Sequence, residues 1–174
     1  MGDPTDDELL TRVASGDEAA FRVLYRRHTP AMYASAYRLV SRRSADAEDI
    51  VQEAWMRAVR QLHSFRREST LRTWLVGIAI RCALEVVRRR PQLPLEDADL
   101  PVMNVTPPPL DREAAIAALA DGYRQILVLH DLHGHTHAEI AALLGIDEGT
   151  SKSQLSRGRA AIRRWFARSA GVQI

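Results

Sequence analysis

The chain has 174 residues, of which 46% are hydrophobic and only 6% aromatic. This length allows one domain or two small ones, and a composition rich in alanine, leucine and arginine favours helices over sheets. The single cysteine, Cys82, excludes an intramolecular disulfide and suits a reducing cytoplasm. Residues 1–10 lack the apolar core of a signal peptide. No run approaches the roughly 20 apolar residues of a membrane span.

The formal net charge is only +2, but the charges are unevenly distributed along the chain. Residues 150–174 contain Lys152 and five arginines with no acid, whereas residues 91–113 contain five acids and one arginine. This asymmetry predicts a C-terminal segment that binds a polyanion, preceded by a segment that repels nucleic acid.

Six of the eight prolines lie between Pro91 and Pro109. Such a stretch forms neither a helix interior nor a central strand, and it has little to bury. We therefore predict an extended acidic linker over residues 91–113, which divides the chain into domains at 1–90 and 114–174.

Four helices are predicted before the linker. Thr5 and Glu8 have capping-box spacing, and Asp17 can cap a second helix, which Pro30 either kinks or interrupts. The third helix begins near Ser44, and the fourth covers about 70–90. The apolar stripe predicted for the third helix contains Ile50, Val51, Ala54, Trp55, Ala58, Val59 and Leu62. No stretch alternates with period two, so we predict an all-α protein without a sheet.

Two helices over 114–119 and 123–132 should follow the linker, before a helix-turn-helix. Thr136 and Glu139 again have capping-box spacing, Gly145 is placed to end the short helix, and Asp147 can cap a longer basic helix that extends through Phe166. This order of short helix, glycine turn and basic helix is typical of the DNA-binding motif.

The second helix of that motif enters the major groove, and its N-terminal half meets base edges and phosphates. The alternative is an amphipathic helix with a solvated basic face, whose cations complement the helix dipole. Hydroxyls and cations can contact bases, and cations can also contact phosphates. The predicted DNA contacts are Thr150, Lys152, Ser153, Ser156, Arg157 and Arg159.

Two blocks of this sequence resemble the extracytoplasmic-function (ECF) branch of the sigma-70 family. Residues 9–90 resemble its region 2, through strings such as "DAEDIVQEAWMRAVRQLHSFRREST" and "LRTWLVGIAIRCALEVVRRR". Residues 119–166 resemble its region 4, through "YRQILVLHDLHGHTHAEIAALLGIDEGTSKSQLSRGRAAIRRWF". A lone helix-turn-helix would be weak evidence, but the two blocks in this order are specific.

The resemblance implies a mechanism and partners. Region 2 would bind a coiled coil of the RNA polymerase β′ subunit and melt the promoter −10 element. Region 4 would bind the β flap and read the −35 element, while the acidic linker would lie in a channel built for nucleic acid. An anti-sigma factor is also implied.

The resemblance also assigns two sets of residues in region 2. The implied polymerase contacts are Asp46, Glu48, Asp49, Gln52, Glu53 and Met56. An alternative explanation for the acids among them is that negative charges in the first turn of a helix interact favourably with the helix dipole. The implied −10 contacts are Ser64, Phe65, Arg66, Arg67, Ser69, Arg72, Arg81 and Glu85. We expect Trp74 to belong to the core rather than to stack on a base.

Five positions depart from the family pattern, one of which is Ala120, in place of a proline that often begins region 4. Arg81 stands where many members carry Asn, and Glu85 where they carry Asp or Asn, which predicts an unusual −10 preference. Ser151 replaces the usual Val and Gly158 a common Ala, which predicts looser packing of the recognition helix.

Four histidines and Asp131 lie between His130 and His137, and such side chains can ligate a transition metal. However, the run spans a helix end and a turn, and no CxxC or HExxH pattern accompanies it. We expect a solvated surface here, with no metal, no cofactor and no catalytic residue.

Two other functions compete with transcription initiation. A helix-turn-helix regulator that acts without core polymerase leaves the "DAEDIVQEAW" block unexplained, and it predicts a dimer on palindromic half-sites. A metal-dependent enzyme or sensor built on the histidines needs converging ligands and a pocket, and the sequence indicates neither.

Overall fold

The computed structural model describes residues 3–40, 43–89 and 112–169. Within these ranges the chain forms eight α-helices and no strand, which confirms the all-α prediction. The described residues divide into two compact units. The first contains residues 3–37 and 44–83, and the second contains residues 38–40, 43, 84–89 and 112–169. The predicted linker lies outside the described residues except for 112–113, which begin a helix.

Local capping fixes the beginnings of the first two helices. Helix α1 (Asp6–Ala14) starts with the predicted capping box, in which Glu8 receives a hydrogen bond from the Thr5 backbone N–H over 2.7 Å. Helix α2 (Glu18–Leu39) is capped by Asp17, whose carboxylate accepts from the Ala19 N–H over 2.9 Å. Helix α2 runs continuously through Pro30, so the alternative in which a new helix starts there is wrong.

Helix α3 (Ser44–Gln61) ends in a 3-10 turn, Leu62–Ser64, and helix α4 (Leu71–Arg88) follows a short loop. The core of the first unit collects apolar faces of these helices, as expected from their periodicity. Its buried members include Leu9, Leu24, Met32, Ile50, Val51, Ala54, Trp55, Ala58, Leu71, Leu75 and Ile78. The indole N–H of Trp55 donates to Thr29 over 2.9 Å. The predicted stripe of α3 is wrong at Val59, which is 53% exposed.

The second unit is built around α6 (Asp121–Leu127), which continues into a π-helical turn, Val128–Leu132. Every residue from 123 to 129 is buried, as expected of a central helix. Arg124 is 2% exposed, and its guanidinium donates to the Leu119 carbonyl over 2.7 Å and pairs with Asp121. Helices α5 (Arg112–Ala117), α6 and α7 (His137–Leu144) all pack on α8 (Glu148–Ser169).

Candidate functional site

Helices α7 and α8 form the predicted helix-turn-helix, and each of its turns is held by local chemistry. The Thr136 N–H donates to Glu139 over 2.7 Å, and this bond lowers the pKa of that carboxyl. Gly145 ends α7 at φ +71°, a left-handed conformation that glycine adopts without a steric penalty. Asp147 then accepts from the Thr150 N–H over 2.8 Å, so the entry into α8 is also fixed.

The outer face of α8 presents five of the six predicted DNA contacts to solvent, and Thr150 is half-buried. Lys152, Ser153, Ser156, Arg157 and Arg159 are exposed, and their spacing of three and four residues places them on one face. The exposed cations Arg163, Arg164 and Arg168 follow. This arrangement puts hydroxyls and cations at the N-terminal half of the helix and cations alone further along.

Several of the predicted contacts also have partners within the protein. Lys152 pairs with Glu148 over 2.6 Å, and Ser153 donates to the Thr150 carbonyl over 3.0 Å. The Thr150 hydroxyl donates to Asp147 over 2.6 Å, which makes this side chain part of the N-cap. The guanidinium of Arg159 donates from Nε to Asp131 over 3.0 Å and makes a second bond from Nη2. This pairing raises the pKa of Arg159 and lowers that of Asp131.

Both unusual residues on the inner side of α8 are buried. Ser151 is fully buried, and its hydroxyl lies 2.9 Å from Nδ1 of His137. Gly158 lies against Tyr123, whose Cβ would be 3.3 Å from a Cβ added at position 158. Sequence reasoning missed both contacts, because residues 14 and 35 positions apart share no local pattern.

The predicted polymerase contacts lie on the side of α3 that faces solvent or at its margin. Glu48, Asp49, Gln52 and Met56 are exposed, while Asp46 is half-buried. Glu53 is also half-buried, and it pairs with Arg57 over 2.7 Å. The face is therefore acidic at its beginning and apolar near its end.

Val59 extends the apolar end of that face and was not among the predicted contacts. It lies three residues after Met56, which is 48% exposed, so the two side chains are neighbours on the helix. Val59 also lines a small apolar pocket, together with Leu10, Leu24, Leu62 and Leu75. The sequence did contain a signal for this position, because an apolar residue three positions after Met56 lies on the same face of the helix.

The loop that precedes α4 contains most of the predicted −10 contacts. Phe65 is half-buried, and its ring centroid lies 5.2 Å from that of Trp74. Arg66 and Ser69 are exposed, and Ser64 donates to the Gln61 carbonyl over 2.7 Å. Arg67 adopts φ +59°, the only positive φ of a non-glycine residue in the described chain.

The predicted −10 contacts on α4 do not share one face. Arg72 and Arg81 are both exposed, but nine residues separate them, which is about two and a half helical turns. They therefore point to opposite sides of the helix. Glu85 is half-buried one turn after Arg81.

The histidines make contacts with one another and with neighbouring carboxylates. The rings of His130 and His137 stack with centroids 4.7 Å apart, and Nδ1 of His130 lies 2.8 Å from Asp131. Nδ1 of His135 lies 3.9 Å from Glu139. In the described residues no three histidine, cysteine or acidic side chains are grouped so that they would hold a metal ion.

Two helical units, one of which contains a helix-turn-helix with a basic outer face, define a DNA-binding class of protein. Residues 24–91 match the family model of Sigma-70 region 2, and residues 113–162 match that of Sigma-70, region 4. The ECF sigma factor SigM of Mycobacterium tuberculosis is 38% identical over 169 residues, which are 92% of this chain and 84% of that protein. The ECF sigma-E factor of Escherichia coli K12 is 33% identical over 180 residues, 91% of this chain and 92% of that protein.

Solved structures give the same result. The sigma factor RpoE of Bartonella quintana, in complex with the anti-sigma factor NepR, matches with a TM-score of 0.54 and 28% identity over 83% of this chain and 94% of that one. CnrH, in complex with the cytosolic domain of CnrY, matches with a TM-score of 0.54 and 28% identity over 92% of this chain and 96% of that one.

This chain therefore belongs to the ECF RNA polymerase sigma factors of the sigma-70 family. Members of this family are transcription initiation factors. Across the three described ranges, no helix combines the length and apolar character that a bilayer span requires.

Proposed function

We propose that this protein joins core RNA polymerase through α3 and directs it to promoters whose −35 element is read by α8 and whose −10 element is melted by the loop before α4. Residues 1–90 would act as region 2, residues 91–113 as the linker and residues 114–174 as region 4. The protein would work in the cytoplasm and would catalyse no reaction itself. An anti-sigma factor, such as the NepR bound to the related RpoE, would hold it inactive.

The observation that carries this proposal is that one chain contains two chemically different exposed helix faces. The face of α3 around Asp49 and Met56 is acidic and apolar, which suits a protein partner and repels DNA. The face of α8 around Lys152 and Arg157 is basic and hydroxylated, which suits a DNA major groove. A regulator that works without polymerase would need only the second face.

Paired charge reversals separate the two roles. The variant Asp49→Lys should lose association with core polymerase, and it should lose run-off transcription as a consequence. The variant Arg157→Glu should still associate with core polymerase but should lose transcription from a promoter that needs its −35 element. Glu18→Lys, at an exposed position on α2, is the matched control and should retain both activities.

The same assay distinguishes the alternative function. A regulator independent of polymerase would bind duplex DNA by itself, and Asp49→Lys would leave that binding intact. Loss of transcription in Asp49→Lys with undiminished association with core polymerase would contradict the role proposed for α3.

A further inference from the structure

A chain of polar contacts holds the recognition helix α8 at two points. At one point Arg159 is bound by Asp131, which also lies 2.8 Å from His130. His130 stacks on His137, and His137 is hydrogen-bonded to Ser151 at the second point. Eight residues separate Ser151 from Arg159, a rise of about 12 Å along the helix axis. The π-helical turn and α7 therefore contact α8 at two points that lie about two helical turns apart.

The contact between His137 and Ser151 joins α7 to a buried position on α8. Ser151 is fully buried, so its hydroxyl has no access to water, and His137 is the side chain that lies within hydrogen-bond distance. A buried hydroxyl that loses its partner destabilises the arrangement that buries it. The position of α8 relative to α7 thus depends on the imidazole of His137.

The surroundings of His137 oppose a positive charge on its ring. The stacked His130 and the cations Lys152 and Arg159 all disfavour protonation, whereas Glu148 alone favours it. Burial, followed by His130 and Lys152, lowers the pKa of His137. The His130 ring stacks on His137 with centroids 4.7 Å apart, so it lies directly against any charge placed on His137. On that side, Asp131 lies 2.8 Å from Nδ1 of His130.

We infer that His137 is a positioning residue, which with His130 and Ser151 holds α8 in the orientation that reads the −35 element, and that protonation of His137 displaces the helix. Binding to the −35 element would then weaken under mild acid, while association with core polymerase through α3 would not. This inference rests on the proposed function, because it assigns a pH response to the same DNA-reading helix.

The test uses holoenzyme assembled from the full chain and core polymerase, with −35 promoter binding measured by fluorescence anisotropy from about pH 7.5 down to about pH 5.5. His137→Ala should weaken binding about fivefold at neutral pH, because it removes one buried hydrogen bond. His137→Asn places an amide near the position of Nδ1 but cannot be protonated. It should bind like wild type at neutral pH and should lose most of the acid sensitivity. His135→Asn is the matched control, since His135 faces Glu139 instead, and it should keep the wild-type pH profile.

Hydrogen exchange in the full chain tests the role of His137 without promoter DNA or polymerase, so this test does not depend on the proposed function. At one fixed pH, His137→Ala should speed exchange of the amides in the first two turns of α8, and His137→Asn should not. Unchanged exchange in His137→Ala would overturn the inference even if no promoter were bound. A wild-type pH profile in His137→Asn would overturn it as well. Failure to join core polymerase at any pH would instead refute the proposed function.

Discussion

Gly158 of α8 lies so close to Tyr123 of α6 that a Cβ at position 158 would be 3.3 Å from the Cβ of Tyr123 and 3.5 Å from its carbonyl oxygen. These atoms belong to or adjoin the backbone of a buried helix, so they cannot move aside as the end of a long side chain would. The glycine therefore sets how closely α6 and α8 approach each other. The expectation that Gly158 loosens the packing of α8 overlooked this contact.

We predict that Gly158→Ala lowers the free energy of unfolding by about 1 kcal/mol. Alanine improves helix propensity by about 1 kcal/mol, but overpacking a buried contact costs about 1–3 kcal/mol. Gly77→Ala is the matched control, because a Cβ there would meet only the end of Arg81 at 3.9 Å. It should stabilise the protein by about 1 kcal/mol. Urea unfolding followed by circular dichroism measures both, and equal gains in the two variants would contradict the close contact.

The pair formed by Arg159 and Asp131 leads to a second prediction, because it makes Arg159 an anchor rather than a free phosphate contact. If the pair holds α8 in place, Asp131→Asn should weaken −35 binding about threefold to tenfold, as expected for a partly exposed but bidentate pair. If Asp131 instead neutralises a cation that could otherwise contact a phosphate, the same variant should bind the −35 element more tightly and with a steeper salt dependence. Promoter titrations at two salt concentrations distinguish the results, and we expect the weakening.

The pH dependence of stability provides a third prediction. Burial lowers the pKa of His133 and of His137 below the ordinary value of 6.5. The unfolded chain therefore binds more protons than the folded one just below that value, and the free energy of unfolding should fall as the pH drops through it. Urea unfolding at about pH 7.5 and about pH 5.5 should show this decrease.

His133→Leu isolates one part of that decrease. Nε2 of His133 is buried without a hydrogen-bond partner among the described residues, so leucine removes an unsatisfied polar atom as well as the titration. The variant should be more stable in acid than wild type and should show a shallower pH profile. His63→Gln, at an exposed position in the 3-10 turn, is the control. If it flattens the profile as much as His133→Leu does, the assignment to His133 fails.

Local chemistry is the part of this structure that the sequence predicted well. The capping boxes at Thr5 and Thr136, the left-handed Gly145 and the cap at Asp147 each involve residues within a few positions of one another. Such contacts leave a pattern that can be read along the chain. The exposed faces of α3 and α8 were predictable for the same reason, because helical periodicity determines which side chains share a face.

Contacts between helices were not predictable in this way. Arg159 looked like a free DNA contact, but Asp131, which lies 28 positions earlier in the chain, binds it. Val59 matched the apolar stripe, yet its side chain is 53% exposed. Pairings at long sequence separation depend on packing, and a single sequence does not encode them as a pattern.

The strained loop before α4 supports a final prediction, since Arg67 has a positive φ that costs a side-chain-bearing residue about 1–2 kcal/mol. Its guanidinium lies 3.5 Å from Asp7, and both side chains are largely exposed, so this ion pair offsets little of the strain. Arg67→Gly should relieve the strain and raise the free energy of unfolding by about 1 kcal/mol.

The same variant should also slow promoter opening, measured by permanganate reactivity of unpaired thymines, because it removes a cation from the proposed −10 surface. Arg66→Gly, at a neighbouring exposed position without a positive φ, should lower stability instead. Normal opening by a stabilised Arg67→Gly would show that Arg67 shapes the loop but does not contact the DNA.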